Sequence, residues 1–128
     1  MKKIAILRCL KKSAACAGVS CINAFYDREK TFEQYGDEEM RLMSVWTCNG
    51  CGASMLENQE GINKKIAKMQ AIGVDVVHLS NCTRKKDENG EKHLCPTIKR
   101  IKAELEAAGI TVVEGTCLLY TSDAADEA

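Results

Sequence analysis

Four short apolar runs punctuate this chain, and each ends on a cysteine. Lys3-Ile4-Ala5-Ile6-Leu7-Arg8 leads to Cys9, and Met40-Arg41-Leu42-Met43-Ser44-Val45-Trp46-Thr47 leads to Cys48. Val74-Asp75-Val76-Val77-His78-Leu79-Ser80-Asn81 leads to Cys82, and Ile110-Thr111-Val112-Val113-Glu114-Gly115-Thr116 to Cys117. Short runs rich in Ile and Val, bounded by polar text, predict strands. Between them the apolar period lengthens. Ile22, Phe25 and Phe32 fall near one stripe of a helix predicted from about Val19 to Tyr35, with Gly36 as its stop. Ile62, Ile66 and Met69 recur at i, i+4 and i+7, with Lys64, Lys65 and Lys68 on the other face and Gly73 at the end. Ile98, Ile101, Leu105 and Ala108 repeat the stripe, opened by Pro96 at the first helical position and closed by Gly109.

The order β-α-β-α-β-α-β predicts an α/β fold. Helical connections of ~10–17 residues between strands impose parallel pairing. The expected architecture is therefore three-layered: a four-stranded parallel sheet with helices on both faces. Its strand order is expected to be 2-1-3-4, by analogy with flavodoxin-like folds. A weak internal repeat supports the reading, because Ala71-Ile72-Gly73-Val74-Asp75-Val76-Val77 matches Ala107-Ala108-Gly109-Ile110-Thr111-Val112-Val113. Each copy reads as helix end, left-handed glycine, then buried strand. The stretch from Thr83 to Leu94 is polar and shows no period, so it is expected to be a structureless loop, a candidate lid over the strand ends.

Composition narrows the class. With 128 residues, 45% of them hydrophobic and 28% charged, the chain suits one soluble domain. Eighteen basic residues balance eighteen acidic ones, so the basic excess of a nucleic-acid binder is missing. No apolar run approaches the ~20 residues of a membrane span. Ile4–Leu7 is also too short for the ~7–15-residue core of a signal peptide, which places the chain in the cytoplasm as an expectation. The text from Cys117 to Glu127 resembles a translated transposon-type sequencing adapter. Residues 1–116 are therefore taken as the domain and 117–128 as a non-native tail, which discounts Cys117 as a ligand.

Eight cysteines in a chain expected to meet a reducing cytosol point to metal or redox chemistry rather than to disulfides. If the apolar runs are neighbouring parallel strands, Cys9, Cys48 and Cys82 collect along the carboxyl edge of one sheet, where open α/β folds hold ligands. Cys48-Asn49-Gly50-Cys51 is the sharpest local signal, since two thiols two residues apart can grip one ion or exchange a disulfide. Cys95 precedes Pro96 and falls at a helix start, where the helix dipole favours thiolate. Cys16 and Cys21 follow the first strand and could complete a cluster or form a second site. His78 lies within a strand and His93 on the polar stretch, and a structural or solvated role competes with a ligand role for each.

The same residues carry a resemblance. Ile6-Leu7-Arg8-Cys9, Cys16-Ala17-Gly18 with Cys21, Phe32-Glu33-Gln34-Tyr35-Gly36 and Cys48-Asn49-Gly50-Cys51 match, in order, the CGGC-domain family. Asp75-Val76-Val77-His78-Leu79-Ser80-Asn81-Cys82, Cys95-Pro96 and Val112-Val113-Glu114-Gly115-Thr116 complete the match over about residues 4–116. The resemblance implies a small prokaryotic protein, of a kind regarded as metal-binding for its cysteines and histidines. This chain departs from the pattern at three places. Asn49 replaces the first central glycine, a change Asn tolerates because it accepts a left-handed backbone. Thr97 follows Cys95-Pro96 where the family often has histidine, and Cys117 follows Gly115-Thr116 where the family has histidine.

The expected function is a cysteine-rich metal-binding domain. Zinc is the first choice, with Cys9, Cys48, Cys51 and Cys82 as ligands and Cys95, His78, Cys16 and Cys21 as further candidates. Four thiolates around Zn²⁺ carry net charge −2, and Arg8 and Arg84 flank two of the ligands. The same sulfurs could hold an iron–sulfur cluster. A thiol–disulfide oxidoreductase using Cys48 and Cys51 is the alternative from another class, and a non-catalytic metal sensor or carrier is a third. A cysteine phosphatase is excluded, since its Cys-x₅-Arg loop would need arginine where Ala15 stands. No glycine-rich nucleotide fingerprint follows the first strand, and no other catalytic set is visible. The metal ion is the one partner the residues name; protein partners and catalysis are left open.

Overall fold

The computed structural model describes residues 1–10, 16–49, 55–86 and 88–116, without the side chains of 55–58, 85 and 86. Cys51 and the expected tail 117–128 lie outside the described residues. In chain order the elements are β1 (Lys2–Arg8), α1 (Val19–Asp27), a 3-10 segment (Lys30–Tyr35), β2 (Met40–Thr47) and α2 (Met55–Ile72). There follow β3 (Val76–Leu79), a 3-10 turn (Asn81–Thr83), β4 (Arg84–Lys86), β5 (Lys92–Leu94), α3 (Pro96–Ala107) and β6 (Thr111–Glu114). β2, β1, β3 and β6 lie side by side in that order, all parallel. This is the expected α/β class. The expected order 2-1-3-4 differs only in its last label, because two strands of a separate hairpin precede the fourth strand of the sheet.

Alternation along β1 builds the layers. Ala5 and Leu7 face one side, where Ile62, Ile66 and Met69 of α2 join Ile98, Ile101 and Leu105 of α3 over Val77 and Leu79. Ile4 and Ile6 face the other side, against Cys21, Ala24 and Phe25 of α1 and Phe32 of the 3-10 segment. Ile98, Ile101 and Leu105 are wholly buried, each adding about 1.5–3 kcal/mol of transfer free energy. Gly73 and Gly109 close α2 and α3 with φ of 79° and 86°, a left-handed turn that explains the internal repeat.

β2 carries a bulge. Its register with β1 runs from Ile4↔Leu42 directly to Ala5↔Ser44, leaving Met43 as the extra residue. Met40 and Leu42 accordingly pack with the α1 layer, whereas Trp46 and Cys48 belong to the α2–α3 layer.

Two expectations are corrected. The helix expected over Val19–Tyr35 breaks after Asp27, because Arg28 and Lys30 take positive φ of 54° and 56°. Arg28 there donates from Nη1 to the carbonyls of Gly36 and Glu38 at 2.8 and 2.7 Å, contacts an unbroken helix would not offer. The stretch from Thr83 to Leu94 is not structureless either. β4 and β5 pair antiparallel from Arg84↔Leu94 to Lys86↔Lys92, and the Cys95 amide closes the base on the Thr83 carbonyl at 2.9 Å. Its strands are too polar to show an apolar period, yet Asn89-Gly90 is a hairpin dipeptide. Among the described residues no helix is long and apolar enough to cross a membrane.

Candidate functional site

Parallel register brings three strand ends to one rim. Arg8 pairs with Thr47, and Leu7 with Leu79, so Cys9, Cys48 and Ser80 each follow at the same level. The Cys48 amide donates to the Arg8 carbonyl at 3.2 Å, and the Ser80 amide to the Leu7 carbonyl at 3.0 Å. The Cys9 amide donates to the Cys82 sulfur at 3.2 Å, and the Ser80 hydroxyl lies 2.8 Å from that sulfur. Cys9 and Cys48 are buried and Cys82 is half-buried. One backbone amide and one hydroxyl thus lie within hydrogen-bond reach of the Cys82 sulfur, at the level where Cys9 and Cys48 leave their strands.

Beyond Cys48 the chain turns at Asn49, whose φ is 63°, as the departure from a central glycine predicted. Lys65, on the first two-thirds of α2, reaches back to this turn. Its Nζ donates to the Thr47 carbonyl at 3.0 Å and to Asn49 Oδ1 at 2.5 Å. Burial pulls the Lys65 ammonium below its usual range, and a negative charge on Cys48 opposes that pull. Lys65 was expected on the solvated face with Lys64 and Lys68. Those two are exposed, but Lys65 is half-buried.

The other candidates spread over the fold. Cys95 is the N-cap of α3 as expected, buried, with no side-chain capping bond. Cys16 is exposed; the Gly18 amide first, then Arg8, pulls its thiol below the usual range against a desolvation effect. Arg8 Nη2 donates to the Cys16 carbonyl at 2.5 Å. Cys21 lies in the α1 layer, its sulfur 3.0 Å from Thr116 Oγ1. His93 is exposed on β5 and lines a shallow cleft of about 250 Å³ with Arg84, Lys92, Leu94, Lys99 and Glu114. Arg84, expected as a counter-charge, is engaged with Glu114, which Lys102 also holds.

His78 is wholly buried, with both ring nitrogens engaged. Nδ1–H donates to the Gly115 carbonyl at 2.8 Å, and Tyr35 OH donates to Nε2 at 2.7 Å. Burial pushes the Tyr35 phenol up to about 12, which keeps it a donor. Burial also pushes His78 down to about 4, partly offset by the Gly115 carbonyl. Phe32 stacks on the imidazole at 4.3 Å between centroids, and Thr31 Oγ1 binds the carbonyls of Gly115 and Thr116. The geometry describes a structural histidine that ties the 3-10 segment to the end of β6.

The rim therefore joins Cys9 and Cys82 directly and brings Cys48 alongside through backbone contacts. Cys21 and His78 belong to the α1 layer. Among the described residues, no three His, Cys, Asp or Glu side chains stand close enough to hold a metal ion, and Cys51 lies outside them. Sequence reasoning missed Ser80, Lys65 and the pair Thr31 and Tyr35. The i, i+4 spacing of Thr31 and Tyr35, and Ser80 two residues before Cys82, are the signals that could have marked them.

Comparison with known proteins agrees with the cysteine pattern. The CGGC domain matches residues 3–117. The chain is 32% identical over 119 residues to "Uncharacterized protein MJ0582" of Methanocaldococcus jannaschii, covering 89% of this chain and 85% of that one. No solved structure matches. With the family's model matching residues 3–117, nearly the whole chain, this protein belongs to the CGGC domain family.

Proposed function

We propose that the rim of Cys9, Cys48 and Cys82, with Cys51 two residues beyond Cys48 in sequence, is a thiolate site that holds a metal ion, zinc first. The observation carrying this reading is the Cys82 sulfur, which accepts the Cys9 amide beside the Ser80 hydroxyl. The Cys9 amide holds that sulfur at the rim, and cysteines from separate strand ends suit the four-coordinate demand of Zn²⁺. Bound there, zinc would supply a positive centre that cross-links the ends of β1, β2 and β3. Arg8 and Lys65 offset part of the negative charge of four thiolates. Such a site needs a reducing compartment, which we take to be the cytoplasm. An iron–sulfur cluster would draw on the same sulfurs.

A second reading has its own support. The Lys65 ammonium beside Cys48 also suits a nucleophilic thiolate, with Cys48 attacking a partner disulfide and Cys51 resolving the mixed disulfide. Anaerobic purification, metal analysis and a visible spectrum separate the readings. About one zinc per chain without colour supports the first. Brown absorbance with iron and sulfide points to the cluster, and a metal-free protein with a titratable Cys48–Cys51 disulfide points to exchange. Cys48→Ser is expected to cut bound metal about tenfold or more, as ligand loss does, whereas Cys16→Ser leaves most of it. Equal losses would remove Cys48 from the ligand set.

A further inference from the structure

The turn after Cys48 rests on α2 in an unusually close fit. Asn49 holds φ of 63°, and its side-chain amide lies over Gly61. A Cβ at Gly61 would stand 2.6 Å from Asn49 Nδ2, closer than carbon and nitrogen approach without displacement. On the other side of the same amide, Lys65 Nζ binds Asn49 Oδ1 and reaches the Thr47 carbonyl at 3.0 Å. Gly61 and Lys65 are four residues apart and so share one face of α2. A glycine inside a helix costs about 1 kcal/mol relative to alanine, so its presence there calls for a reason such as this contact.

We propose that Gly61 and Lys65 form a seat for the Asn49 amide, and that through it they are positioning residues for the Cys48 sulfur. Gly61 provides the space. Lys65 ties the Thr47 backbone and the Asn49 side chain, one on either side of Cys48, to α2 and keeps a positive charge at the rim. The charge on Lys65 bears on the metal through the thiolate reading given above, but the seat itself does not depend on metal. Groups that orient a ligand without touching the ion commonly change affinity about 10–100-fold when removed.

Two measurements test this. The first is thermal unfolding of four proteins: the natural chain, Gly61→Ala, Asn49→Gly, and the double variant. Gly61→Ala is expected to lower the melting midpoint where Asn49 is present. In the Asn49→Gly chain the clash is gone, and the same change is expected to raise the midpoint by roughly 3 °C through helix propensity. The same sign in both backgrounds would overturn the seat. The second is cobalt(II) titration of the full chain, read by the thiolate-to-metal absorption band. Lys65→Met is expected to weaken cobalt uptake about tenfold, and Lys65→Arg, which keeps the charge, to restore most of it. Lys65→Met binding cobalt like the natural chain would overturn the positioning role. If the natural chain itself takes up no cobalt, the metal reading fails, while the sign of the Gly61→Ala shift still decides the seat.

Discussion

Acidifying the protein from pH 7 to pH 4.5 is expected to remove about 2 kcal/mol of stability through His78 alone. In the folded protein the imidazole is pushed down to about 4, against an ordinary value near 6.5 in the unfolded chain. Between those values the unfolded chain binds the proton and the folded one refuses it. Stability therefore rises with pH across the window, is complete above about 6.5, and drains away as pH falls toward 4. The cause is physical exclusion: the ring has no contact with water, stacks on Phe32 and already uses both nitrogens. A proton on Nε2 would turn the acceptor of the Tyr35 hydroxyl into a second donor facing it. Urea midpoints followed by far-UV circular dichroism at the two pH values measure the effect. His78→Gln should unfold more easily at pH 7 but lose this share of the acid sensitivity. A variant whose acid loss equals that of the natural chain would show that the carboxylates, not His78, dominate.

Phe32→Ala is expected to cost about 3–5 kcal/mol, a large part of the stability of a domain this size. Phe32 is wholly buried in the smaller of the two cores, where few other side chains can collapse into the space it leaves. It meets Phe25 edge-on at 5.5 Å and lies flat against His78 at 4.3 Å. Losing the ring therefore opens a cavity and wets the imidazole at the same time. The acid sensitivity just described should shrink in this variant, because a hydrated His78 has less reason to refuse a proton. A loss below about 1 kcal/mol in urea unfolding would mean that α1 and the 3-10 segment close over the gap.

The sheet could be read from the sequence because its signal is repeated. Each Ile- or Val-rich run is short, each is followed by a stripe of apolar residues at helical spacing, and the two glycines at 73 and 109 mark equivalent helix ends. The break at Arg28 could not, since Ile22, Phe25 and Phe32 keep a helical stripe across it and only the backbone angles differ. The hairpin of β4 and β5 carries almost no apolar residues, so periodicity was silent and only Asn89-Gly90 spoke. For the site, strand ends predicted that Cys9, Cys48 and Cys82 would share a rim. The layer of Cys21 and His78 is not legible in the sequence, because it is set by the 3-10 segment, whose Phe32 packs with both. Lys65 escaped notice because one lysine among three on a helix looks like its neighbours until Thr47 and Asn49 are placed against it.

The extra residue in β2 has a bearing on the thiol that follows. A strand sorts its side chains by odd and even count, and Met43 changes the parity between Leu42 and Trp46. Without that one-residue offset, Cys48 would inherit the side that Met40 and Leu42 occupy and turn its back on Lys65. The side on which the Cys48 sulfur lies is thus written five positions upstream, in a methionine with no chemistry of its own.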